Sequence, residues 1–175
     1  MRRASFGGWY PRRTEMTDDA LRELDHDHVG MGRLVGDLRE TAEAVREGRL
    51  SVADAYTRFS DGLGELREEI FHHFAREEEG LFPLVVRELP DLEEEVETIA
   101  RAHDGICGAA ARLGHLADQG QEAFTSQIST VLSLFERFDR SFVAHSEGER
   151  AFIARVAVRL DDRQRAELSA LLRGL

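Results

Sequence analysis

Residues 59–81 read FSDGLGELREEIFHHFAREEEGL. Apolar side chains recur at Phe59, Leu63, Leu66, Ile70 and Leu81, in steps that place them on one face of an α-helix. His73 and Glu77 stand on that same face, in phase with Ile70 and Leu81, whereas Glu69 and His72 fall off it. A titratable pair on a face built for burial is costly unless something compensates it.

Three more segments show the helical period. The first carries Leu21, Leu24, His28, Met31, Val35, Leu38, Ala42 and Val45, with Thr17 as its expected N-cap ahead of Asp18 and Asp19, and Gly48 as its stop. The helix that bears His73 and Glu77 comes second and starts at Ser51-Val52-Ala53-Asp54, close to a capping box. Pro83 is expected to end or kink it, a remnant reaches Glu88 or Leu89, and Pro90 breaks it. A third helix, starting near Asp91, carries Val96, Ile99, His103, Ile106, Ala110, Leu113 and Ala117, and closes at Asp118-Gln119-Gly120. A fourth, from about Gln121, carries Val131, Phe135, Phe138, Phe142, His145, Glu149, Phe152 and Val156. No strand pattern competes. Long helices with short connections predict an all-α, up-down-up-down four-helix bundle. Residues 1–16 are expected to be an irregular arm, basic at Arg2, Arg3, Arg12 and Arg13, with Phe6, Trp9 and Tyr10 packing across the bundle. Residues 17–160 are expected to form the bundle, and 161–175 a short amphipathic C-terminal helix packed on it.

Composition sets the outer bounds. The 175 residues suit one domain, and 34 acidic against 23 basic residues give a formal net charge of -11. That charge disfavours nucleic acid or an anionic membrane surface as a partner. A single cysteine, Cys107, permits no intramolecular disulfide. The opening stretch MRRASFGGWYPRRTEMT lacks the apolar run of a secretory signal, and no apolar run approaches the ~20 residues needed to span a bilayer. A cytoplasmic location is therefore expected, with either a monomer or a homodimer compatible with the pattern.

All four helices place polar ligand-type residues in their apolar stripes: His28, His73, Glu77, His103, His145 and Glu149. His73-x-x-x-Glu77 and His145-x-x-x-Glu149 are i, i+4 pairs, so each shares a helix face. The chain also repeats itself: His28 precedes His73 by 45 residues and His103 precedes His145 by 42. Two helical hairpins related by an approximate two-fold axis would bring all six groups to one level. A lone histidine in a stripe is commonly a hydrogen-bonded core residue, and an i, i+4 His/Glu pair is commonly a surface pair. Surface pairs belong on the polar face, however, and these do not lie there.

A bound cation compensates several such groups at once. Four imidazoles and two carboxylates suit Fe, Mn or Zn better than Mg or Ca, which prefer oxygen shells. If each glutamate bridges two ions, each ion has two histidine nitrogens and two carboxylate oxygens. A bridging oxo or hydroxo group would then leave one position open, as in reactive rather than closed sites. His26, His72 and His115 fall off the site face and are read as surface or outer residues, with His26 the expected partner behind a ligand. Glu69, Glu78, Glu79 and Glu147 are read as solvated charges. Cys107, four residues after His103, either faces the site or is a small packing residue in an alanine-rich stretch, and packing is favoured.

Taken together, these residues resemble the hemerythrin-like (HHE cation-binding) family. The stretch from His73 to Pro83, HFAREEEGLFP, is similar to its HFxxEExxLFP signature, and Leu24-Asp25-His26-Asp27-His28 to its first-helix ligand segment. The spacing of Met31, Leu34, Val35 and Leu38 selects His28 over His26. The resemblance implies a non-haem di-iron centre with two Fe ions, Mn or Zn being possible substitutes. His28 and His73 would hold one iron, His103 and His145 the other, and Glu77 and Glu149 would bridge. The oxygen-carrying members have a second histidine where Cys107 stands, and they end on a more widely spaced His and Asp. The four-His, two-Glu set looks more like the bacterial iron-sulfur-cluster repair proteins, whose added cysteine-containing N-terminal domain has no counterpart in these 175 residues.

The expected function is binding of, or response to, O2, NO or peroxide at open iron positions, behind a dry wall of Ile70, Phe74, Ile106, Phe142 and Phe152. Turnover of peroxide or NO by a di-iron enzyme is one alternative. Iron storage, donation or cluster repair is another. A ferritin-like carboxylate site would need Glu-x-x-His pairs facing the core, and only Glu69-x-x-His72 has that spacing.

Overall fold

The computed structural model describes residues 13–175, with side chains from Ala20 onward. Most of the expected arm, including Phe6, Trp9 and Tyr10, lies outside the described residues. The chain runs through α1 (Arg13–Arg46), α2 (Val52–Arg76), α3 (Phe82–Glu88), α4 (Glu93–Asp118), α5 (Gln121–Ser126), α6 (Ile128–Arg159) and α7 (Asp162–Leu172). Among the described residues there is no strand, and no helix is long and apolar enough to cross a membrane.

The four long helices α1, α2, α4 and α6 form the bundle. In cross-section α1 neighbours α2 and α6, and α4 neighbours the same two. This is the expected up-down-up-down arrangement. The helix α7 lies against α1 and against the turn that follows α2, and its start carries a full capping box between Asp161 and Gln164. The α1–α2 corner also closes as its sequence requires. Gly48 adopts φ +69°, a left-handed conformation that glycine takes without strain, and Arg49 N–H reaches back to the carbonyl of Ala44 at 2.8 Å. Ser51 then caps α2, its hydroxyl accepting from Asp54 N–H at 3.1 Å.

Three elements differ from the sequence expectation. α1 begins at Arg13, ahead of the anticipated cap at Thr17. Residues 13–16 contain neither glycine nor proline, so nothing in them opposes helix. At Pro83 the second helix is interrupted with a remnant to Glu88, as expected, and what differs is the form of the interruption. The chain widens into one π-turn over Glu77–Leu81, where Phe82 N–H bonds to the carbonyl of Glu77, and then continues as α3 with Pro83 in its first turn. The wider turn moves the preceding carbonyls away from a ring that would otherwise clash with them. Leu89, out of helical conformation at φ -134° and ψ 63° ahead of Pro90, stops α3 as expected. Finally, the fourth helix is broken at Gln127, with α5 before it and α6 after it. Phe124 is the reason: it is fully buried against Tyr56 and Phe59, which turns the short α5 across the end of the bundle.

The interior is two apolar clusters. One gathers Met31, Ile70, Phe74, Ile106 and Phe142 with the residues toward α5. The other gathers Leu24, Leu81, Ile99 and Phe152 with α3 and α7. On each long helix the polar residues of interest fall where the stripe passes from one cluster to the other: His28 between Leu24 and Met31, His103 between Ile99 and Ile106, and His145 and Glu149 between Phe142 and Phe152. The bundle therefore carries a polar layer between two dry ones.

Candidate metal centre

All six residues named from the sequence meet in that layer, and all are buried. Glu77 and Glu149 are completely inaccessible, and His145, the most accessible of the six, is 8% exposed. The i, i+4 pairs converge as the helical period requires, with His73 Nε2 3.2 Å from Glu77 Oε1 and His145 Nε2 2.8 Å from Glu149 Oε2. From α1, His28 Nε2 approaches Glu149 Oε2 at 3.0 Å and His73 Nε2 at 3.1 Å. From α4, His103 Nε2 lies 3.4 Å from Glu77 Oε2 and 3.9 Å from Glu149 Oε1.

Two ligands on one ion, each bound at about 2.1 Å, lie about 3.0 Å apart at a right angle and about 3.4 Å apart at the tetrahedral angle. Most of these nitrogen–nitrogen and nitrogen–oxygen separations fall near that range. The atoms divide into two groups that could each hold an ion, His28, His73, Glu77 and Glu149 in one and His103, His145 and Glu149 in the other. The pairing of His28 with His73 and of His103 with His145 matches the half-repeat.

Without a cation the layer is poorly satisfied. Both oxygens of Glu77, Oε1 of Glu149, and Nε2 of His103 and of His145 are buried without a hydrogen-bond partner. Such orphaned atoms are rare in folded interiors, and here they point at one another. The electrostatics agree. Burial, reinforced by the Glu149 charge, raises the Glu77 carboxyl well above its ordinary value. Burial also opposes ionisation of Glu149, but His145 and His28 beside it hold that carboxyl below its usual range. Burial pushes His103 down to about 3, with His145, His73 and His28 adding to the effect against the pull of Glu149. A neutral imidazole at His103 is the protonation state that metal binding uses.

The groups behind the histidines differ from expectation. His26 is exposed, so it is not the partner anticipated for it. Asp27 stands there instead, its Oδ2 3.3 Å from His73 Nδ1. Arg76, itself 8% exposed, donates to Asp27 at 2.8 Å and to Glu23 at 3.2 Å, and so fixes the Asp27 carboxylate. Burial would raise the Asp27 carboxyl, but His73 and Arg76 hold it below the ordinary carboxylate value. Glu78, read from the sequence as a solvated charge, accepts from His103 Nδ1 at 2.8 Å. Sequence spacing held a signal for two of these residues. Asp27 lies in the three-four run from Leu24 to Met31, and Arg76 lies three residues after His73 on the ligand face.

The expected wall is present: Ile70, Phe74, Ile106, Phe142 and Phe152 are all buried. Phe82, not anticipated, joins it by stacking on His103 at 5.6 Å. Cys107 is half-buried against the core and belongs to neither ligand group. Burial first, then Glu78 and Asp104, raise its thiol pKa, which favours the packing reading. His72 is exposed, and exposed His115 pairs with Gln119.

Comparison with curated proteins gives no match, and comparison with solved structures gives none either. The family model described as the hemerythrin HHE cation binding domain matches residues 19–170, which takes in the four long helices almost entirely and all six residues of the polar layer. This is a metal-binding protein, and the chain belongs to the hemerythrin HHE cation-binding domain family.

Proposed function

We propose that the layer holds two iron ions and that the loaded protein binds, or responds to, O2, NO or peroxide. The observation that carries this reading is the reach of the two buried carboxylates. Glu77 turns Oε1 to His73 and Oε2 to His103, while Glu149 turns Oε2 to both His28 and His145 and Oε1 to His103. Each carboxylate thus spans both histidine pairs, which supports two ions sharing two bridges. His28 and His73 would hold one ion, and His103 and His145 the other. Four imidazoles with two carboxylates favour iron over magnesium or calcium, and manganese or zinc could substitute.

A reduced iron pair supplies electrons and open coordination positions to a small molecule. The protein's part is to orient and to exclude water. Asp27 and Glu78 accept from the outer nitrogens of His73 and His103, which turns the inner nitrogens toward the centre. Phe74, Phe82 and Phe152 leave little room for solvent around it. The test is metal analysis of the purified protein, followed by optical spectra of the reduced, iron-loaded form before and after O2, NO or azide. About two irons per chain and a ligand-dependent visible spectrum are expected. A spectrum indifferent to redox state and to every small ligand would overturn the proposal.

A further inference from the structure

A groove of about 530 Å³ runs between α4 and α6 and reaches the polar layer at His145 and Glu149. Its buried lining is Ile99, Ile106, His145 and Glu149, and its rim is made of small residues, among them Gly105 and Ala144. Near the surface Glu95, which lines the groove, pairs with Arg155. Two side chains in the lining are more than nine-tenths buried, His145, whose Nε2 meets only the Glu149 carboxylate at 2.8 Å, and Glu149, whose Oε1 has no hydrogen-bond partner. Both belong to the ligand group of His103, His145 and Glu149, and neither His28, His73 nor Glu77 of the other group lines the groove.

We infer that this groove binds a small, uncharged organic molecule, with its apolar body against Ile99 and Ile106 and a single oxygen-bearing head at the His103/His145 half of the centre. The inference rests on the metal-centre reading above and narrows it. A diatomic gas needs no groove of this size, whereas about 300–1,000 Å³ is ordinary for small-molecule sites. The lining supplies apolar surface with few polar groups, so a charged substrate would lose its hydration without compensation. An organic hydroperoxide or the alcohol derived from it has the required shape, an apolar body with one short polar end. The side of access also differs from that of the other groove beside the layer. That one, between α1 and α2, is lined by His26, Asp27, Arg33, Glu65 and Glu69, and it meets Asp27 rather than an inner ligand.

The test uses the full chain loaded with zinc, which is diamagnetic, titrated with cumyl alcohol and followed by amide chemical shifts. Saturable shifts confined to residues 98–106 and 141–149 are expected. Gly105→Leu should weaken binding at least tenfold. A β-carbon at Gly105 meets nothing within 4 Å and leucine is the better helix former, so this variant fills the groove without straining the fold. Ala144→Leu gives an independent check on the facing helix. Shifts elsewhere, no saturation, or wild-type affinity in both variants would overturn the inference. Azide added to the iron-loaded wild type separates the two claims. A spectral response to azide without cumyl alcohol binding sinks the groove and leaves the metal-centre reading standing. Cumyl alcohol binding without any azide response retains the groove and removes the reading beneath it.

Discussion

Phe74 lies flat on the imidazole of His103, with ring centroids 3.7 Å apart and planes 7° from parallel. The two residues come from adjacent helices, α2 and α4, and Phe82 stacks on the same imidazole at 5.6 Å. Truncating Phe74 therefore opens a cavity and admits water beside a ligand. Phe74→Ala should lower stability by about 3–5 kcal/mol, seen as a reduced urea midpoint with an unchanged slope. Phe74→Leu should recover most of it. Equal losses in the two variants would mean that cavity volume is not the cause.

Both carboxylates reach both histidine pairs, but Glu149 makes the closer contacts, 3.0 Å to His28 and 2.8 Å to His145, against 3.2 Å from Glu77 to His73 and 3.4 Å to His103. Glu149→Gln should therefore reduce bound metal from about two per chain to fewer than one. Glu77→Gln should leave roughly one, held by the His103/His145 half. Metal analysis after gel filtration decides between this order and its reverse.

Asp27 and His26 are neighbours in sequence with opposite roles. Asp27 supports His73 and is pinned by Arg76, while His26 is exposed. Asp27→Asn should weaken metal affinity about 10–100-fold, measured by competition with a chromogenic chelator. His26→Gln should stay within about twofold of wild type. Comparable losses in both would restore His26 to the supporting role that its place beside the ligand run suggests.

Much of the site was legible because helical phase is a strong signal. His28 and His73 each have a nearby histidine, and only the in-phase member of each pair is buried in the layer. What phase could not reveal were features set by tertiary packing. Glu78 is exposed, as a solvated charge should be, yet α4 also brings His103 to it. The π-turn at Glu77–Leu81 leaves no periodic mark, since it alters the register by a single residue. The break at Gln127 depends on where Phe124 finds a pocket, which no local pattern encodes.

The metal-free protein should have an unusual pH optimum. His103 falls to about 3 in the folded state from an ordinary value near 6.5, so the unfolded chain binds the extra proton between those limits. Its contribution is full above about pH 6.5 and lost as the pH falls toward 3. Glu77 works the other way. Its folded carboxyl is raised, so the folded state holds the extra proton and stability declines as the pH rises past about 4.5. Urea midpoints of the chelated protein should therefore peak in the window above about pH 4.5 where the two trends oppose each other, and fall below it. Once metal replaces the protons, the optimum should move to neutral pH or above. A chelated protein whose midpoint climbs steadily to pH 8 would show that Glu77 is not protonated in the fold.

The division of the interior into two apolar clusters bears on how the chain unfolds. In most domains of this size a single continuous core makes unfolding all-or-none. Here the two halves share the same four helices but meet across six titratable side chains. Whatever fills that layer is the coupling between them. With ions in place the halves should melt as one unit, with calorimetric and van't Hoff enthalpies in agreement. With the ions removed, the end built from α3, α7 and the neighbouring parts of the long helices can loosen while the α5 end persists. Metal would then set not only how stable the bundle is but whether it behaves as one folding unit or two.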